Sequence, residues 1–189
     1  MAKVFFIHGL NSSHLSFSYI GLILDLPVAK IDYKSQQRLV ISIDQVLRQL
    51  PKNEPIILVG HSLGGVIAMN IALSGLRNVE KVVTISSPLG GSKAAVYARW
   101  VVSGLEVLND IVPSSPFIRP LSEYQPACPV LSIYSTNGSL PTSNEPNDSV
   151  VTVASQRALP YAKKAEVKAN HFEVLMHAKT AHLIQDFIA

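Results

Sequence analysis

Ile56-Ile57-Leu58-Val59-Gly60-His61-Ser62-Leu63-Gly64-Gly65 decides how this 189-residue chain is read. Four apolar residues, three of them β-branched, lead into Gly-x-Ser-x-Gly, and an apolar helical pattern follows from Val66 to Leu76. A strand, a sharp turn and a helix in that order lift Ser62 into a strained, exposed elbow. Side chains at positions 60 and 64 would collide across so tight a turn, which is the steric reason for glycine at both. The helix starts directly after Ser62, so its unpaired N–H groups and positive end lie beside the serine oxygen. That arrangement suits a nucleophile whose attack creates an oxyanion. A glycine-rich turn that happens to hold a serine would mean little by itself; the flanking strand and helix give it a function.

Upstream of the elbow, Lys3 to Ile7 reads as a buried strand ending at His8-Gly9-Leu10. Ser12 or Ser13 caps a helix through Phe17, Ile20, Ile23 and Leu24, and Pro27 to Tyr33 reads as a second short strand. Leu39, Ile43, Val46, Leu47 and Leu50 share one face of a helix over Ser35 to Leu50, which Pro51 and Pro55 end. Downstream, Lys81 to Ser86, Val130 to Tyr134 and Ala165 to Ala169 are further strands. Ser92 caps a helix through Ala95, Tyr97, Trp100, Val101 and Leu105, Ser149 to Ala158 is a short helix, and Glu173 to Ile188 is a closing amphipathic one. Continuous apolar strands alternating with helices predict an α/β fold: a doubly wound, mostly parallel sheet of roughly six strands with helices on both faces. Residues 1–189 are expected to form a single domain, with a small inserted helical segment at about 88–127 and no large lid.

With 48% hydrophobic and 15% charged residues, the chain is expected to be compact and ordered. A net charge of +3, with no basic run interleaved with aromatics, argues against nucleic-acid binding. No stretch is long and apolar enough to be expected to span a membrane, and the run at Val4 to Ile7 is too short for a signal peptide. Those features, with a lone Cys128 that cannot form an internal disulfide, predict a cytoplasmic protein.

A serine hydroxyl is a weak nucleophile without a base to take its proton, and that base is usually a histidine oriented by a carboxylate. In a parallel sheet such groups gather beyond the carboxyl ends of strands. Among six histidines, His171 follows the last strand, whereas His177 and His182 fall in the closing helix pattern. His8 and His14 belong to the first strand end and loop, and His61 is fixed inside the elbow. Asp148 follows the strand at Val130 to Tyr134, with Glu145 as the alternative acid. Asp110 ends a helix in the inserted segment, and Asp32 comes too early in the topology. Asp148 lies fourteen positions after Tyr134. The 135–148 connection, rich in polar residues, is of the length that is usually functional or mobile.

Phe6-Ile7-His8-Gly9-Leu10, Gly60-His61-Ser62-Leu63-Gly64-Gly65, Asp148 and His171 stand in the order seen in the α/β-hydrolase superfamily. The chain resembles its small lipase and esterase branch, including minimal bacterial lipases and inositol-deacylase-like lipase domains. Ser86-Ser87-Pro88-Leu89-Gly90-Gly91-Ser92 and Asp110 to Phe117 resemble two loops of those lipases, the second of them structural. The resemblance implies a serine hydrolase that cleaves carboxylic esters through an acyl-enzyme, with Ser62, His171 and Asp148 as triad. It also implies an oxyanion hole made by the backbone N–H groups of Leu63 and Leu10. Such chemistry needs no metal or organic cofactor, and the partner is a small acyl ester or lipid; Val96, Trp100, Val101, Phe117 and Ile118 are candidates to line its pocket, or else to cover the sheet. Thioester or amide cleavage would use the same residues, and a catalytically silent scaffold acting as a binding module is the alternative outside enzymes.

Overall fold

A computed structural model describes residues 2–26, 29, 31–95, 104–140 and 143–189. Five strands form one parallel sheet in chain order: β1 (Lys3–Ile7), β2 (Ile56–His61), β3 (Val79–Ile85), β4 (Val130–Ser135) and β5 (Lys163–Val167). Register places Ile7 beside Gly60 and His61 beside Ile85, so the ends of β1, β2 and β3 meet at one edge of the sheet.

The apolar runs are continuous because both faces of the sheet are covered. Phe5, Ile7, Ile56, Leu58 and Val82 point into a core shared with α2 (Leu39–Gln49) and α3 (Leu63–Ser74). Their neighbours Phe6, Ile57, Val59 and Val83 point the other way, onto α1 (Ser18–Leu24) and the closing α6 (Ala178–Ile188), which also pack together. Between β3 and β4 the described residues hold a 3-10 turn at Glu106–Asn109 and the short α4 (Arg119–Glu123). Ser92 does open a helical turn, its hydroxyl accepting from the Ala95 N–H at 3.2 Å. Tyr97, Trp100 and Val101 of that expected helix lie outside the described residues, and Leu105, at its expected end, is not helical. Between β4 and β5 lies α5 (Val153–Gln156). Among the described residues no helix is long and apolar enough to cross a membrane.

Several expected elements come out differently: Ser13 precedes the first helical turn without a side-chain cap bond, the helix expected at Ser149 to Ala158 is confined to Val153–Gln156, and the last strand runs Lys163–Val167. Pro27, Val28 and Lys30 of the second expected strand lie outside the described residues, and Ile31 to Tyr33 belong to no strand. Side chains of α2 take over as backbone partners there: Asp32 N–H donates to Gln49 Oε1 at 3.1 Å and Lys34 N–H to Gln45 Oε1 at 2.8 Å. The closing helix is broken into a 3-10 turn at Glu173–Met176 and α6, because His177 is extended and caps α6 by accepting from the Lys179 N–H.

Asp110 has a structural post. Its buried carboxylate accepts from Arg38 Nε and Nη2 at 2.8 Å each and caps α2 through the Leu39 N–H at 2.7 Å. Asp110→Ala is therefore expected to lower stability by about 1 kcal/mol through the lost cap, a melting shift of about 2–4 °C, while leaving kcat in place. A thermal melt beside an activity assay reads both; a large loss of kcat in folded protein would contradict this assignment.

Candidate active site

Ser62 stands between the end of β2 and the start of α3 with φ 53° and ψ −122°, a conformation costing a non-glycine residue about 1–3 kcal/mol. Close packing fixes it there. A Cβ on Gly60 would overlap the backbone of Gly64 and Gly65, and one on Gly64 would overlap the carbonyls of Ile7 and His8. The turn is therefore pressed both on itself and on the end of β1, and the serine oxygen is presented where α3 begins.

His171 lies four residues beyond the end of β5, and the loop delivers it to the serine: its Nε2 is 3.0 Å from Ser62 Oγ. Its Nδ1 is 2.8 Å from Asp148 Oδ2. A carboxylate only accepts, so Nδ1 carries the proton and Nε2 offers its lone pair to the Ser62 hydroxyl. Asp148, fully buried, accepts four further bonds: Oδ2 from Ser135 Oγ at 2.8 Å and Gln156 Nε2 at 3.2 Å, Oδ1 from the N–H groups of Val150 and Val151 at 3.0 and 2.7 Å. Burial works to raise its pKa. The hydrogen bond and charge of His171, the Val151 N–H and the Ser135 hydroxyl outweigh burial, so the carboxyl is held below the usual carboxylate range.

The structure thus brings Ser62, His171 and Asp148 into one line. Glu145 stands elsewhere, in an exposed ion pair with Lys93 at 2.8 Å. His8 is occupied with its own loop, its Nδ1 donating to the Gly9 carbonyl at 2.8 Å and its ring stacked on Tyr33. His14 faces the Asp32 carboxylate at 3.4 Å, and His182 is exposed on α6. Cys128 is buried as a small filler, its thiol pushed up by burial. Sequence reasoning missed Ser135 and Gln156. Ser135 ends β4, so the same strand-end rule that selected His171 reaches it, whereas Gln156 sits within α5 with no signal in the sequence.

Leu10 and Leu63 border the same cavity as Ser62 and His171, and Leu63, as the first residue of α3, has no intrahelical acceptor for its N–H. The cavity measures about 700 Å³ and its walls are mainly apolar, with Leu108, Ile111, Val150, Leu175 and Met176 among them. Phe117 and Ile118, two of the side chains expected to line a pocket or cover the sheet, do the latter. Val96, Trp100 and Val101 lie outside the described residues. Among the described residues no group of three or more His, Cys, Asp or Glu is placed to hold a metal ion.

Residues 30–181 match the protein family described as "Serine aminopeptidase, S33", a stretch that includes Ser62, Asp148 and His171. The chain belongs to this α/β-hydrolase family. Among curated proteins no sequence matches. Solved structures of lipases, esterases and a thioesterase domain share its fold. A lipase of Bacillus licheniformis in its mature form aligns with a TM-score of 0.78 at 19% identity, over 100% of this chain and 92% of its own. A metagenomic carboxyl esterase aligns with a TM-score of 0.75 at 17% identity, over 99% and 74%. A thioesterase domain from the curacin biosynthetic pathway aligns at 0.66 and 15%, over 99% and 90%. At such identities the shared property is the fold.

Proposed function

We propose that this α/β-hydrolase cleaves carboxylic esters of apolar acyl groups through an acyl-enzyme on Ser62. The observation that carries the reading is the unbroken line from Ser62 Oγ through His171 to Asp148, with contacts of 3.0 and 2.8 Å. Ser62 Oγ attacks the acyl carbonyl carbon as its proton passes to His171 Nε2. Asp148 keeps the imidazole turned and stabilises it once charged. The developing oxyanion is met by the backbone N–H groups of Leu63 and Leu10, each donor being worth about 3 kcal/mol in the transition state. His171 returns the proton to the departing alcohol. A water then attacks the acyl carbon with His171 again as base, the bond to Ser62 Oγ breaks, and His171 returns the proton to Ser62 as the acid leaves. Nothing in this sequence of steps calls on a metal or organic cofactor.

The apolar cavity beside Ser62 supports the acyl preference, and Phe172 and Met176, both about 70% exposed, extend an apolar rim around its mouth. Each methylene buried there contributes about 0.8 kcal/mol, close to fourfold in kcat/KM. Lengthening a p-nitrophenyl ester from butyrate to octanoate is expected to raise kcat/KM by about 10²-fold. A flat or falling series would remove the acyl assignment.

The reading itself is tested by a fluorophosphonate probe, which phosphonylates a serine only when a base activates it. Intact-mass and peptide analysis of folded protein is expected to find one adduct, on Ser62. Folded protein that stays unlabelled would favour the silent scaffold.

A further inference from the structure

The residue immediately before the serine has a place in the site that the proposed mechanism does not use. His61 ends β2, is buried, and directs Nε2 at the main-chain carbonyl of His171, 2.8 Å away. We propose that His61 is a positioning residue for the base, its Nε2–H holding the His171 backbone so that the His171 ring meets Ser62. This rests on the reading of Ser62 and His171 given above.

A carbonyl oxygen only accepts, so Nε2 of His61 carries the proton and Nδ1 is left as a bare lone pair. That Nδ1 is buried with no hydrogen-bond partner among the described residues, against Gly9, where an added Cβ would stand 3.3 Å from it. An unpaired buried acceptor is unfavourable, so space-filling alone would prefer an apolar side chain at this position. What the imidazole adds is the bond to His171.

The bond completes a four-point hold. The N–H of His171 donates to the Asp148 carbonyl at 2.9 Å, and its own carbonyl accepts from His61. Its ring meets Asp148 through Nδ1 and Ser62 through Nε2. Two holds come from the acid residue and two from consecutive residues of the elbow. His171 sits beyond the last strand, where no sheet ladder fixes it, so these contacts decide where its ring lies.

The donor also has to be uncharged. The titratable groups acting on His61 are His171 and Asp148; burial first, then the neighbouring His171, push its pKa down to about 3. At neutral pH it donates without opposing the positive charge that forms on His171 during the reaction. A lysine or arginine could make the same bond but would oppose that charge.

Two amides separate positioning from packing. In His61→Gln the side-chain nitrogen falls near the place of Nε2 and reaches the His171 carbonyl; in His61→Asn it falls near Nδ1 and does not. Both variants lose the ring. With an ester substrate, His61→Asn is expected to lower kcat by about 10²-fold with KM changed less than about threefold, and His61→Gln to recover at least about tenfold of that loss. If the Asn variant does not fold, His61→Phe, which keeps a ring and lacks the donor, is expected to show the same 10²-fold loss. Equal losses in the Gln and donor-less variants, or none in either, would overturn the inference. Wild-type protein that fails to label with fluorophosphonate would remove the underlying reading as well, whereas labelled wild type with equal variants removes this one alone.

Discussion

Ser62→Ala is expected to lower kcat on an ester substrate by at least about 10⁴-fold, His171→Ala to do so to a similar extent, and the double variant to fall no further than the worse single one. The reason is that the two side chains perform one act. Without the Ser62 hydroxyl the His171 lone pair has no proton to take, and without His171 the hydroxyl is a poor nucleophile. What survives, on the proposed mechanism, is the contribution of the oxyanion donors and of binding, which neither substitution touches. Steady-state kinetics on all three variants give the comparison. Losses that multiply would mean that Ser62 and His171 act independently, and a Ser62→Ala enzyme with substantial activity would mean that the nucleophile is another group.

Asp148→Asn is expected to lower kcat by about 10⁴-fold while Glu145→Gln leaves it unchanged. Five donors converge on the Asp148 carboxylate: the His171 ring, the Ser135 hydroxyl and the Gln156 amide on Oδ2, and the Val150 and Val151 N–H groups on Oδ1. An asparagine there has to turn its NH₂ toward one set or the other, so a donor faces donors in either orientation. With the NH₂ toward His171, the imidazole relieves the conflict by moving its proton from Nδ1 to Nε2, and the nitrogen beside Ser62 then cannot accept. Glu145, paired with Lys93 at the surface, has no part in this. The outcome against the assignment is a Glu145→Gln enzyme that is inactive beside an active Asp148→Asn enzyme.

How much of this was legible beforehand depended on the range of the interaction. The elbow is written in ten consecutive residues, because a strand, a turn without side chains and a helix each leave a local pattern. His171 could be found from strand order alone. The acid was harder. Asp148 lies far beyond β4, and what fixes it is not spacing but long-range bonding: its carbonyl accepts from the His171 N–H, and its side chain is gripped by Ser135 and Gln156. No local pattern encodes those partners. The chain before α2 shows the same limit. Pro27 to Tyr33 has strand composition, yet the backbone donors of Asp32 and Lys34 are taken by glutamines of α2, a competition composition does not register. The break at His177 was also hidden, since the apolar spacing of Glu173 to Ile188 runs through it unchanged.

The glycine contacts of the elbow set how such a protein can diverge. Because Gly60 and Gly64 press against neighbouring backbone, no side chain can be introduced there without moving the start of α3 or the end of β1. The reactive centre is therefore closed to gradual change. The cavity wall is not: Val150, Phe172 and Met176 border the cavity on loop or 3-10 segments, with side chains reaching solvent, and can be exchanged one at a time at little cost to the core. On the proposed function, selection or design can thus retune which acyl group is accepted while the bond-breaking apparatus is inherited whole.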